Sequence, residues 1–175
     1  MRSLRPALFF SLVLLAQPIA AALPVGAAAP DFRTTGAIAG KPFNLHLKDQ
    51  LRHGPLVLYF YPKAFTQGCT LEAKAFADAM PEFRKAGARV VGMSADNLDT
   101  LKRFSTEACR SAFPVATASP ETIKAYDVVL KQKPELTDRT SYVIDRKGKI
   151  VMVHSDLDWK DHVSKALAAV RSLKR

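Results

Sequence analysis

The run Leu56-Val-Leu-Tyr-Phe-Tyr61-Pro62-Lys-Ala-Phe-Thr66-Gln-Gly-Cys69 decides how this chain is read. Leu56 to Tyr61 is continuously apolar, β-branched and aromatic, which predicts a central strand buried on both faces. Pro62 then ends it, because a proline cannot donate to a strand ladder. From Cys69 to Lys85, the residues Ala73, Phe76, Met80 and Phe83 recur at spacings of three and four, the period of a helix packed on a sheet. Pro81 falls inside that pattern and predicts a kink or a division. Cys69 therefore sits where a strand hands over to a helix. Unpaired N–H groups and a partial positive charge at a helix start both favour a thiolate over a thiol. The chain reads as an enzyme that works through this sulfur.

Outward from that core, strands and helices alternate. Arg89 to Met93 is a second buried strand, and Asn97 or Asp99 caps a helix running to about Cys109. Phe113 to Ala116 is a short strand with Pro114 best tolerated on an edge, and Ser119-Pro120 starts another helix. Thr140–Ile144 and Ile150–His154 form a hairpin, followed by a helix from about Trp159 to Leu173. Before Leu56 the chain is loop-rich, with one short strand at Phe43–Leu47. The expected fold class is α/β, a three-layer sandwich with a mixed central sheet flanked by helices.

The first 22 residues stand apart. Arg2 and Arg5, the apolar stretch Ala7–Ala16 and the small residues Ala20-Ala21-Ala22 have the layout of a signal peptide, leaving one domain over 23–175. The apolar part is too short for a span, no second long apolar run follows, and no membrane anchor is expected. The expected location is outside the cytoplasm, most simply a bacterial periplasm. The whole chain has 26 basic and 16 acidic residues, and removing the leader leaves 24 against 16, a net charge of +8. The lysines and arginines are scattered, so the charge reads as a solubility feature rather than a nucleic-acid footprint. No glycine-rich phosphate loop appears, and His46, His53, His154 and His162 make no metal-ligand pattern with the cysteines. Neither a cofactor nor a metal is expected.

Pro62, Thr66 and Cys69 match the peroxiredoxin motif Pro-x-x-x-Thr/Ser-x-x-Cys at every fixed position. Around them, Tyr59-Phe-Tyr-Pro-Lys-Ala-Phe-Thr-Gln-Gly-Cys-Thr-Leu-Glu-Ala and Arg139-Thr-Ser-Tyr-Val-Ile-Asp145 most resemble the bacterioferritin comigratory protein (PrxQ) subfamily. Val25-Gly-Ala-Ala-Ala-Pro30-Asp31-Phe32 is similar to the family's N-terminal signature. The resemblance implies a thioredoxin fold and a peroxidase acting on hydrogen peroxide and organic hydroperoxides, with antioxidant defence as its role. Cys69 would be the peroxidatic nucleophile and pass through a sulfenic acid. Thr66 and Arg139 would bind sulfur and peroxide, and Pro62 would shape the pocket. The implied reductant is thioredoxin-like or glutaredoxin-like, and the assembly a monomer or weak dimer.

Lys74 occupies the place where many relatives carry a resolving cysteine, five residues after the first. Cys109 is the only other thiol. It is the candidate resolving residue; a buried filler with external resolution is the alternative, and a permanent bridge to Cys69 would silence the nucleophile. Glu72, in the first helical turn, complements the dipole and reads as structural, or as a support behind the catalytic residues, rather than as catalytic itself. Two other functions compete. Thiol–disulfide exchange normally needs Cys-x-x-Cys, and Thr66 occupies the first of those positions. The other is a non-catalytic thioredoxin-fold binding module.

Overall fold

The computed structural model describes residues 22–173; the predicted leader, apart from Ala22, lies outside the described residues. Twelve elements follow in order: β1 (Arg33–Ile38), β2 (Lys41–His46), α1 (Leu47–Leu51), β3 (Leu56–Phe60), α2 (Gln67–Lys85), β4 (Arg89–Ser94), α3 (Leu98–Glu107), β5 (Val115–Thr117), α4 (Pro120–Ala125), β6 (Thr140–Ile144), β7 (Ile150–Ser155) and α5 (His162–Ser172). The strands form one sheet in the order β2-β1-β5-β4-β3-β6-β7. β3 runs parallel to β4 and β4 to β5, while the remaining pairs are antiparallel. The sheet is mixed, as the sequence predicts.

All of β3 is buried, and its alternate side chains feed two separate cores. Val57, Tyr59 and the following Tyr61 join Phe76 and Phe83 of α2, Leu101 and Phe104 of α3, and Val170 of α5. Leu56, Leu58 and Phe60 join Leu47 and Leu51 of α1, Ile123 of α4 and Tyr142 of β6. Helices cover both faces, which completes the three layers. Tyr59 stacks on Phe76 with ring centroids 4.3 Å apart, and Gly92 of β4 lies against the same ring. A Cβ at Gly92 would come within 2.7 Å of it, so the close approach requires glycine there.

Several boundaries differ from the sequence reading. β1 and α1 fall in the stretch that reads as loop, and β2 starts two residues before the predicted Phe43. α2 is a single helix through Pro81, because Pro81 lies on its solvent face, where water can serve the carbonyl that loses its partner. β5 sits between β1 and β4 rather than on an edge. Pro114 precedes the strand, and its carbonyl accepts the Gly92 N–H, a bond that asks nothing of the missing proline donor.

Candidate active site

The C-terminal end of β3 delivers the site. Tyr61 N–H still bonds Met93 O at 3.0 Å, after which Pro62 turns the chain out of the sheet. The next loop is pinned by Asp96, whose carboxylate accepts the Ala64 N–H at 2.7 Å and the Ser94 hydroxyl at 2.8 Å. Phe65 then takes φ +65°, the left-handed region that L-residues rarely enter. Its ring lies edge-on to Phe104 and under the Arg103 guanidinium, 5.1 Å from the ring centroid. These contacts hold a strained residue immediately before the helix.

α2 starts two residues earlier than predicted, with Thr66 as its N-cap residue. The Thr66 side chain makes no capping bond and instead donates to Lys63 O at 2.9 Å, leaving its oxygen lone pairs free of the helix. Thr70 N–H reaches back to Thr66 O, so the N–H groups ahead of it, Cys69 included, belong to those a helix cannot satisfy internally. Cys69 lies in this first turn, 1 % exposed, with its sulfur free.

Arg139 reaches the same point from the other side of β3. β6 pairs with β3 so that Thr140 faces Phe60, which places Arg139 beside the end of the strand. Thr137 ties this approach down by donating to Tyr61 O at 2.6 Å. The Arg139 guanidinium is buried and uses all three nitrogens. Nη2 donates to Cys69 Sγ at 3.4 Å, Nε to Leu157 O at 2.8 Å, and Nη1 to Glu72 Oε2 in a buried ion pair. Sulfur and guanidinium therefore meet, despite the low exposure of the thiol. A Cβ at Gly68 would lie 3.2 Å from Nη2 and 3.8 Å from Trp159 Cδ1. The glycine lets the guanidinium approach this closely, directly before the cysteine.

The family profile of AhpC/TSA matches residues 25–153. The chain is a peroxiredoxin of the AhpC/TSA family. It is 32 % identical to the chloroplastic peroxiredoxin Q of Sedum lineare over 136 residues, 77 % of this chain and 72 % of that one. It is also 32 % identical to the peroxiredoxin Bcp of Xanthomonas campestris over 123 residues, 67 % of this chain and 76 % of the relative. Among solved structures, the peroxidoxin BcpB of Mycobacterium tuberculosis superposes with a TM-score of 0.77 at 32 % identity, covering 86 % of this chain and 98 % of that one. This peroxiredoxin is accordingly a thiol-dependent peroxidase with the thioredoxin-like fold, and its substrates are hydroperoxides.

Of the residues singled out from the sequence, Cys69 and Arg139 meet in direct contact, Thr66 stands at the N-cap position two residues before Gly68, and Pro62 turns the preceding strand toward them. Cys109 is free and fully buried, and burial pushes its thiol far above the ordinary range. Cys109 and Cys69 belong to the same apolar core. Among the described residues no cluster of His, Cys, Asp and Glu could hold a metal ion. Glu72 agrees with its reading as a supporting residue, and His162 carries more than its sequence reading gave it. Glu72 is fully buried and partners Arg139, and His162 is buried beside it, with Nδ1 3.8 Å from Glu72 Oε1. The i,i+3 spacing of Cys69 and Glu72 on α2 was the available signal for the first.

This buried cluster fixes a pH dependence of stability. Burial pushes the Glu72 carboxyl from 4.5 up to about 8, against the opposing pull of Arg139. The folded protein then holds a proton that the unfolded chain releases, so this group's contribution falls as pH rises from about 4.5 to about 8. Burial pushes His162 from 6.5 down to about 4, which makes its contribution rise with pH across that interval. The two oppose each other in mildly acidic solution, and only the Glu72 slope remains above about pH 6.5. Calorimetry should show the melting temperature declining from pH 6.5 to 8 more steeply in wild type than in Glu72→Gln. Parallel curves would refute the assignment.

Proposed function

We propose that Cys69, as the thiolate, attacks the distal oxygen of a hydroperoxide brought to its contact with Arg139. One S–O bond forms as the O–O bond breaks, giving Cys69 sulfenic acid, and the departing oxygen takes a proton to leave as water or an alcohol. The contact that carries this reading is Arg139 Nη2 to Cys69 Sγ, because it places a buried cation where negative charge sits before reaction and departs after it. Thr66 Oγ1, with its hydrogen engaged by Lys63 O, is an acceptor for the peroxide proton, and the Cys69 N–H is a further donor. Pro62 walls the pocket. Consumption of hydrogen peroxide by the fully reduced protein, with and without Cys69, is the direct test.

We infer further that Cys109 attacks the sulfenic sulfur, forming the disulfide and releasing water, and that a thioredoxin-type dithiol then restores both thiols. Local unwinding would bring the two buried sulfurs together. The segment after Cys109 favours it: Arg110 and Ser111 hold φ +49° and +55°, two consecutive left-handed residues without glycine, so loosening the end of α3 relieves strain. Intact-mass analysis after one equivalent of peroxide should find a loss of two hydrogens with both cysteines blocked to alkylation. A stable gain of one oxygen would instead assign resolution to an external thiol. On protein exported by a bacterial host, the same spectrum reads the mature N-terminus, expected near Leu23.

A further inference from the structure

We infer that His162 is a positioning residue for the peroxidatic centre: joining β6 to the turn after β7, it fixes the carbonyl that aims Arg139 at Cys69. The inference rests on the peroxidase reading of Cys69. Arg139 Nε is held by Leu157 O, and Leu157 lies in the connection between β7 and α5 with its own side chain half exposed. A carbonyl in such a segment directs a guanidinium only if the segment is itself fixed. Asp156 N–H bonds Arg139 O at 3.1 Å, and the Asp158 and Lys160 backbone N–H groups make exposed bonds within the turn. The buried side-chain anchor is His162, whose Nε2 lies 2.9 Å from Asp156 O while Nδ1 lies 2.8 Å from Ser141 Oγ on β6.

The partners settle the protons. A carbonyl oxygen only accepts, so Nε2 carries the hydrogen, and in the neutral ring Nδ1 accepts from the Ser141 hydroxyl. Burial and the neighbouring Arg139 and His154 keep the ring neutral, its titration lying near pH 4. The groups around it are Glu72 from α2, Arg139 ahead of β6, Asp156 from the turn and His154 from β7, whose ring centroid is 4.5 Å away. Glu72 Oε1 has no hydrogen-bond partner among the described residues, and at 3.8 Å the neutral Nδ1 offers it no hydrogen. The Glu72 side chain is therefore left to Arg139 alone. An apolar side chain would fill this volume more cheaply, since a buried imidazole costs free energy unless both nitrogens are matched. Here both are: one bond ties the ring to β6, and the other holds Asp156, whose N–H bonds Arg139 O.

The test compares His162→Phe, His162→Gln and Ser141→Ala in single-turnover consumption of hydrogen peroxide by reduced protein, with thermal melts in parallel. Phenylalanine fills the space without either bond, and the rate constant should fall about tenfold or more, the equivalent of ~1.4 kcal/mol of barrier. Glutamine can still donate to Asp156 O and should recover most of that loss; Ser141→Ala should fall between the two. A wild-type rate in folded His162→Phe overturns the inference, as does a His162→Gln variant no faster than the phenylalanine one. If His162→Phe does not fold, a wild-type rate in Ser141→Ala overturns it. Failure of the peroxidase reading is recognised separately, by wild type that consumes no peroxide.

Discussion

Replacing Cys69 by serine should reduce peroxide consumption to the rate of buffer while leaving the fold intact. The substitution changes one atom at a buried position, and a serine hydroxyl can still accept from Arg139 Nη2. The melting temperature should therefore stay close to that of wild type. The chemistry does not survive. Peroxide cleavage needs an ionised, polarisable nucleophile, and a serine hydroxyl stays protonated at any pH the fold tolerates. Losing the nucleophile from a site of this kind costs on the order of 10⁶ in rate where it has been measured. Cys109→Ser, under the resolving role proposed for it, should keep the first turnover and lose only recycling, since Cys109 lies outside the contact between Cys69 and Arg139. A stopped-flow trace with one equivalent of peroxide separates the variants: no consumption for the first, one full equivalent for the second. Residual fast consumption by Cys69→Ser would sink the assignment.

Much of this site was legible because its parts are local. The apolar run Leu56–Phe60 and the three-to-four spacing of Ala73, Phe76, Met80 and Phe83 have a single economical reading, and they bracket the loop that carries Pro62, Thr66 and Cys69. β1 was hidden by its composition: Arg33-Thr-Thr-Gly-Ala-Ile carries few apolar residues and a glycine. That glycine is there because the neighbouring strand comes so near that a Cβ at Gly36 would lie 2.5 Å from Val115 O, a property of pairing and not of sequence pattern. α1, five residues long, has too few turns to show a period. The network behind Arg139 was illegible for a different reason. Glu72, Ser141, Asp156 and His162 come from four separate parts of the chain, and no local rule brings them together. Histidines without metal-ligand spacing read as packing, and only burial with two matched nitrogens distinguishes His162 from that.

Arg139→Leu should be the most damaging single change to stability and should also remove most of the activity, and the two losses can be told apart. Arg139 is the partner of a fully buried carboxyl, and above about pH 8, where that carboxyl is ionised, deleting one side of such a pair costs about 3–5 kcal/mol because the other charge is stranded. Glu72 already holds its proton at pH 5.5 and is ionised only above about pH 8, so the destabilisation should be greater at pH 8.5 than at pH 5.5. Adding Glu72→Gln removes the stranded charge. The double variant should therefore recover more than half of the lost stability, a coupling of the kind expected between residues in direct contact. Activity should not follow, since no donor then faces Cys69 Sγ from that side. Arg139→Lys should fall in between for both quantities: a single ammonium cannot reproduce the planar fork that serves sulfur, carboxylate and Leu157 O at once. Denaturant titration and single-turnover peroxide kinetics on the same four proteins decide the matter. If activity returned together with stability in the double variant, Arg139 would serve only to hold the fold, and the negative charge at Cys69 would have to be stabilised by the start of α2 alone.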